Sequence, residues 1–182
     1  MTILPDILSS RLKLVAISRR LAKLQIEDRT AFFEALGVVE DPAWPPALMD
    51  DKAMEWMRDE LLAKPEHAGW YSWIYISPVL NRLMGIGGFK GAPDAKGEVE
   101  IGYSMLTSFR EQGLATEGVM ALINWAYSHD DVKLVTAKTR SDRNASHRVL
   151  EKAGFVEGAR FYDEDEGFEV ISWTHQKKKI AA

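Results

Sequence analysis

Apolar and polar residues follow two different patterns along the chain, and each pattern predicts one kind of element. Alternation of apolar and polar residues, or a short run rich in β-branched and aromatic residues, predicts strands over residues 11–18, 70–76, 83–89, 98–106, 133–139, 155–162 and 168–173. Apolar residues recurring every three to four positions predict helices over residues 27–36, 50–61, 113–129 and 144–153. This order predicts an α/β (α+β) fold, in which helices cover both faces of a mixed sheet.

Proline and glycine mark the boundaries of these elements. Residues 41–46 contain three prolines and must form a loop, because proline donates no backbone hydrogen bond. Gly37 and Gly154 each follow a predicted helix, where glycine readily adopts the left-handed conformation that ends it. Neither a repeat nor a linker interrupts the pattern. We therefore expect one domain over residues 1–182, with a core over 10–176 and a solvated lysine-rich tail over 177–182.

Composition narrows the classes of function. The chain has 182 residues, of which 46% are hydrophobic and 27% charged, as in ordinary globular proteins. Its formal net charge of -4 gives no general attraction to nucleic acid. The absence of cysteine excludes disulfides, thiolate metal sites and a cysteine nucleophile, and favours a cytoplasmic protein. No apolar stretch approaches the roughly 20 residues of a membrane span, and the four histidines lack metal-ligand spacing. We thus expect no membrane partner and no metal.

The strongest chemical signal is the segment Arg110-Glu111-Gln112-Gly113-Leu114-Ala115, which connects a predicted strand to a predicted helix. Such a turn directs unpaired backbone N–H groups and the positive end of the helix dipole at one point, where an anion such as phosphate fits. Gly113 allows close approach of the backbone to that anion. Taken alone the signal is weak, because most strand–turn–helix connections bind nothing.

A second signal, the segment 144–155, has a plain structural interpretation as an amphipathic helix capped by Asn144. The two signals together are more specific. Arg110-x-x-Gly113-x-Ala115, preceded by Glu100-Ile101-Gly102-Tyr103 and followed by Asn144-x-Ser146 and the run from Leu150 to Phe155, resembles the GNAT acetyltransferases. The chain looks most similar to the branch that contains the ribosomal-protein N-terminal acetyltransferases, and the motifs span roughly residues 85–155.

The resemblance implies a mostly antiparallel sheet in which strand 98–106 splays away from strand 133–139, with acetyl-coenzyme A in the opening. It implies that the pyrophosphate rests on the loop Arg110, Glu111, Gln112, Gly113, Leu114 and Ala115. The pantetheine would pair with backbone near Tyr103, Ser104 and Met105, and Asn144 would contact the cofactor. Three positions depart from the family: many relatives have glycine and a basic residue at Glu111 and Gln112, and some have tyrosine at Leu150.

Without cysteine, direct attack of an amine within a ternary complex is favoured over an acyl-enzyme. Glu100 matches a family carboxylate that can take the amine proton through water, and Glu98 on the same strand face is its rival. A backbone N–H near Tyr103 would hold the developing oxyanion. Ser146 is the candidate donor to the departing thiolate, and Trp44, held in the proline loop, is the candidate substrate wall.

The sequence thus predicts an acyltransferase that moves an acetyl group from acetyl-coenzyme A to a primary amine, either a protein N-terminus or a small molecule. Two alternatives stay open. One is an aminoglycoside or polyamine acetyltransferase, whose cationic substrate the acidic turn 163–166 could attract. The other is an acyl-coenzyme A-binding module without turnover. The oligomeric state is also open, a homodimer included.

Overall fold

The computed structural model describes residues 4–47, 49–142, 144–164 and 167–177, with the backbone alone for Asn144. Its eight strands are β1 (Ile7–Leu8), β2 (Lys13–Ala16), β3 (Ser72–Ser77), β4 (Arg82–Phe89), β5 (Glu98–Met105), β6 (Leu134–Arg140), β7 (Val156–Asp163) and β8 (Phe168–Gln176). Its helices are α1 (Arg19–Glu27), α2 (Arg29–Leu36), α3 (Asp51–Ala63), α4 (Leu114–Ala126) and α5 (Asn144–Lys152). Short 3₁₀ turns cover Pro65–His67 and Thr107–Phe109.

The strands form one sheet in the order β1-β2-β3-β4-β5-β6-β8-β7. Every pairing is antiparallel except that of β5 with β6, which is parallel. The predicted mixed α/β fold with a mostly antiparallel sheet is therefore confirmed. Of the α-helices and strands in the described residues, only α1 and the two-residue β1 had not been predicted.

Helix α4 packs on one face of the sheet. The ring of its Trp125 stacks on Phe89 of β4 with centroids 5.9 Å apart. A Cβ atom added to Gly87, two residues earlier in β4, would meet Leu122 of α4 at 3.2 Å. Neighbouring residues of an extended chain point to opposite faces of the sheet. Lys90, which directly follows Phe89, therefore lies on the other face, which is the side of α3.

Hydrophobic packing joins both halves of the sheet in one core, which extends from Leu12 near the start of the chain to Trp173 in β8. The proline loop over 41–46 is fastened to β4, because Arg82 Nη2 lies 2.6 Å from the buried carboxylate of Asp41. In the described parts of the chain, no helix has the length and apolar character needed to cross a membrane.

Candidate active site

The parallel ladder between β5 and β6 is short, and it ends at the centre of the sheet. It joins Glu98 to Leu134, Val99 to Val135 and Glu100 to Thr136. Beyond Glu100, β5 continues with β4 as its partner, and β6 continues with β8 as its partner. The facing edges of β5 and β6 thus separate, and backbone N–H and C=O groups along them lack a ladder partner. This is the splayed strand pair implied by the resemblance.

A pocket of about 440 Å³ occupies this opening and reaches both faces of the sheet. On the side of α3 it is bounded by Trp56 and Met57 of that helix, together with Glu100, Gly102 and Ser104 of β5. An added Cβ at Gly102 would meet no atom within 4 Å, so the pocket is open over this residue.

The opposite side of the pocket belongs to α5 and the strand residues that face it. Tyr103, Thr139, Ser146 and Leu150 lie there. The Tyr103 hydroxyl donates to the backbone carbonyl of Ser146 at 3.1 Å, which ties β5 to the first turn of α5. Burial raises the pKa of Tyr103 well above its usual value, so the phenol stays protonated in the neutral range.

The predicted phosphate loop leads from β5 into α4. Gly113 occupies the N-cap position of α4 with a φ of 76°, and no side chain caps the helix there. The first N–H groups of α4 are therefore available to an anion. Glu111 is exposed and has a positive φ of 60°, and Met105 and Leu114 are buried at the two ends of the loop.

The side chains of Arg110 and Gln112 bond to backbone carbonyls of the segment that leads into the loop. Arg110 Nε donates to the carbonyl of Met105 at 3.2 Å, and Gln112 Nε2 donates to the carbonyl of Ser108 at 3.1 Å. An added Cβ at Gly113 would have Arg11 Nη2 at 3.5 Å as its nearest neighbour outside the adjoining residues. Arg11, which sequence reasoning missed, also donates from Nη1 to the carbonyl of Gln112 at 2.9 Å. The loop is thus open in front of Gly113 and has a cation beside it, a combination that fits a pyrophosphate.

Of the two candidate bases, Glu100 lines the pocket, whereas Glu98 lies outside it in the paired part of β5. The Glu100 side chain is 24% exposed, and its Oε1 lies 2.5 Å from Nζ of Lys90. Lys90 directly follows β4, and its N–H donates to the Glu100 carbonyl at 3.0 Å, so the two residues lie side by side just past the end of the β4–β5 ladder. The residue predicted to accept a proton therefore already holds an ammonium group.

Three further residues were predicted to bind the cofactor, and their positions differ. Ser104 lines the pocket, and Ala115 is half-buried in the first turn of α4. Asn144 begins α5, but its side chain lies outside the part of the chain that the structure describes.

The prediction that Trp44 forms a substrate wall is wrong. Its side chain is 3% exposed and stacks on Phe32 of α2, with ring centroids 6.1 Å apart. The proline loop folds inward, because burying the large indole stabilises the protein more than leaving it exposed in a cleft would. The exposed aromatic residue at the pocket is Trp56 of α3, which is 50% exposed and packs edge-on against Tyr71 with centroids 5.6 Å apart.

Sequence reasoning also missed the cationic side chains of the pocket. Lys138 and Arg140 of β6 line it together with Lys90. Lys138 Nζ lies 3.0 Å from Asp163, the first residue of the predicted acidic turn. Arg140 donates to Asp142 at 3.0 and 3.1 Å and lies 4.5 Å from the ring centroid of Phe168. Asp165 and Glu166 of that turn lie outside the described residues.

No group of three or more histidine, aspartate or glutamate side chains with the geometry of a metal site occurs in the residues that the structure describes.

Comparison with known proteins gives one family and a consistent fold. A family model for the acetyltransferase (GNAT) domain matches residues 19–156. An uncharacterised N-acetyltransferase of Bacillus subtilis (strain 168), YjdG, is 31% identical over 148 residues, which cover 81% of this chain and 88% of the relative.

Two solved structures show the same fold at low sequence identity. The first is RimL, a ribosomal L7/L12 alpha-N-protein acetyltransferase in complex with coenzyme A, which has a TM-score of 0.66 and 17% identity over 94% of this chain and 98% of its own. The second is a chimera of the spermidine N-acetyltransferase SpeG from Vibrio cholerae and hSSAT, which has a TM-score of 0.64 and 12% identity over 92% and 96%.

Proposed function

Because the chain belongs to the acetyltransferase (GNAT) family, we propose that its pocket binds acetyl-coenzyme A and transfers the acetyl group directly to a primary amine. The observation that supports this most is the opening between β5 and β6, whose ladder ends at Glu100. Unpaired backbone groups along an opening of this kind match the amides of a pantetheine chain, as an added strand would. The uncapped α4 N-terminus and Arg11 suit the pyrophosphate.

The two sides of the opening then have different tasks. Glu100 on the α3 side accepts a proton from the incoming amine, through a water or directly. A backbone N–H near Tyr103 holds the developing negative charge of the thioester oxygen. Ser146 on the α5 side lies beside the departing thiolate and donates to it. Acetyl-coenzyme A supplies the activated acetyl group, and the new C–N bond forms as the C–S bond breaks.

The charges of the pocket bear on the class of amine. Its described lining contains Lys90, Lys138 and Arg140, and Glu100 is the single carboxylate among these lining residues. Glu100 is already paired with Lys90, so the described lining offers a molecule with several positive charges no further carboxylate to bind. We therefore favour a substrate with one reacting amine, such as a protein N-terminus or a small monoamine, over a polyamine.

Calorimetry with coenzyme A, followed by a thiol-release screen of peptide N-termini and small amines with acetyl-coenzyme A, tests the proposal. We expect Gly113→Asp to weaken coenzyme A binding at least tenfold, or about 1.4 kcal/mol, because a carboxylate would face the pyrophosphate. Gly37→Asp is the matched control, since Gly37 also has a positive φ of 68° but ends α2 away from the pocket. Equal affinity in all three proteins would refute the site.

In the same screen, Glu100→Gln should lower turnover most near neutral pH and recover partly as the pH rises. An α-amino group has a reference pKa of about 7.7–8.0, so the free amine accumulates without a base above that range. A profile parallel to that of the wild type, with undiminished rates, would show that Glu100 is not the base.

A further inference from the structure

The ammonium group of Lys90 lies where the amine of a substrate would lie in order to give its proton to Glu100. Nζ is 2.5 Å from Glu100 Oε1, and both residues line the pocket. Glu100 is also the last residue of β5 that pairs with β6, so the ion pair lies at the point where the two strands separate. Lys90 is thus an amine of the protein's own at the entrance of the opening.

From this placement, and resting on the proposed use of acetyl-coenzyme A, we propose that Lys90 is itself an acetyl acceptor and that the protein acetylates its own Lys90 side chain. The lysine satisfies the conditions that a bound amine must meet. It is a primary amine, it contacts the candidate base, and its attachment to β4 keeps it at the site. A tethered reactant has a high effective concentration, which replaces the binding of a separate amine.

The step balances without any further reactant. The Lys90 ammonium loses one proton to Glu100, and the neutral nitrogen attacks the thioester carbon. The C–N bond forms, the C–S bond breaks, and coenzyme A leaves as a thiolate that takes up a proton. The nitrogen loses a second proton to solvent, so the products are the Lys90 amide, the free thiol of coenzyme A and one proton. Only the neutral form of an amine can attack the thioester, which makes the neighbouring base important.

The Lys90 side chain has the freedom that this reaction needs. It is 58% exposed, and lysine has four rotatable bonds in a flexible stem. Lys138 provides a matched comparison within the same pocket. Its Nζ lies 3.0 Å from Asp163 and 5.8 Å from the ring centroid of Phe161, so another carboxylate and an aromatic ring hold it.

Incubation of the purified chain with acetyl-coenzyme A alone, followed by peptide mapping in a mass spectrometer, tests the proposal. We expect acetylation of Lys90 at least about tenfold faster than that of Lys138, a smaller factor than the roughly 10²–10⁴ that a positioned general base supplies. Glu100→Gln should reduce the Lys90 rate by a similar factor. In protein unfolded with guanidinium chloride the two lysines should react equally, because only the fold distinguishes them.

A Lys90→Arg variant keeps a cation beside Glu100 but offers no acetyl acceptor, so the fast acetylation should disappear from its map. Equal rates at Lys90 and Lys138 in the folded protein, or a Lys90 rate unaffected by Glu100→Gln, would overturn the inference. If coenzyme A binds by calorimetry in that same sample, the proposed function survives this outcome. If neither coenzyme A nor acetyl-coenzyme A binds, the proposed function and the inference both fail.

Discussion

Two tryptophans of the first half of the chain lie in opposite environments, and the difference decides what each can do. Trp44 is 3% exposed, and its ring packs on Phe32. Its indole Nε1 is buried without a hydrogen-bond partner among the described residues. Trp56 is half exposed and lines the pocket beside Met57. Trp44 therefore contributes to stability, and Trp56 is placed to contact a ligand in the pocket.

We predict that Trp44→Ala lowers the free energy of unfolding by about 3–5 kcal/mol, since it leaves a large cavity in the core. Trp44→Phe should cost much less, because it keeps an aromatic ring and removes the unpaired N–H. Trp56→Ala should leave the stability nearly unchanged but raise the Michaelis constant for the amine, with coenzyme A affinity unaffected. Chemical denaturation and steady-state kinetics on the three variants measure these effects. A stable Trp44→Ala protein with a raised Michaelis constant would reverse the assignment.

At the scale of single residues, the sequence singled out the loop around Gly113 as a candidate phosphate site but did not single out the side chains on the α3 side of the pocket. Gly113 is recognisable because its neighbours in the sequence form the site with it. Trp56 and Arg140 come from α3 and β6, Lys90 directly follows β4, and the fold alone brings them together. Trp44 was misassigned because the prolines around it indicated rigidity but not the direction in which the loop folds.

Among the elements, α4 carries the contacts that hold Arg11 beside Gly113. Its first turn holds Glu117, which accepts hydrogen bonds from the Ser9 hydroxyl at 2.8 Å, the Arg11 N–H at 2.6 Å and Arg11 Nε at 2.7 Å. The β1–β2 turn is thereby fastened to α4, and Arg11 is held beside Gly113. Burial by itself would raise the pKa of Glu117, but these hydrogen bonds outweigh it and hold the pKa below its usual value.

Glu117→Gln should therefore lower the stability by about 1–3 kcal/mol at neutral pH, because the charged hydrogen bonds are lost. The sign follows from the lowered pKa. The carboxylate stabilises the fold fully above its unfolded pKa of 4.5 and loses that effect as the pH falls through the lower, folded value. The difference between variant and wild type should thus shrink in acid. Denaturation at neutral pH and in acid measures it.

Glu34→Gln is the control for this prediction, since Glu34 is an exposed glutamate of α2. It should change the stability little at either pH. A gap between wild type and Glu117→Gln that stays constant with pH would contradict the role assigned to the carboxylate.

The helix that the sequence failed to predict is α1, because the residue that ends it also caps the next helix. Asp28 closes α1, where its N–H donates to the Leu24 carbonyl, and it also caps α2, where its side chain accepts from Ala31. An acidic residue before an apolar run indicates a helix start, so the preceding segment was not recognised as a helix. The signal that could have found it is Ser18, whose side chain accepts from the Leu21 N–H at the start of α1. Strand β1 has only two residues, too few for any periodicity.

At the scale of the whole molecule, the sheet consists of two parts that are joined by one short ladder. Strands β1–β5 form one part and β6, β8 and β7 the other, and the parallel ladder between them joins only three residue pairs. The packed core and the contact of α4 with α5 complete the connection. A ligand in the opening would contact both parts at once. Its binding would therefore stabilise the entire fold.

Coenzyme A at 100 times its dissociation constant should therefore stabilise the protein by about 2.7 kcal/mol, which for a chain of this size raises the melting temperature by roughly 5–10 °C. Hydrogen exchange should show where the protection arises. We expect slower exchange in residues 101–105, 137–140 and the first turn of α4, because backbone N–H groups there gain partners from the ligand. Peptides from β3, which pairs on both sides already, serve as an internal reference and should change little. With tenfold weaker binding, Gly113→Asp should keep only about 1.4 of these 2.7 kcal/mol at the same ligand concentration, and its exchange should be correspondingly faster. Protection confined to α4, with residues 101–105 and 137–140 unchanged, would show that the ligand binds the loop but does not enter the opening between β5 and β6.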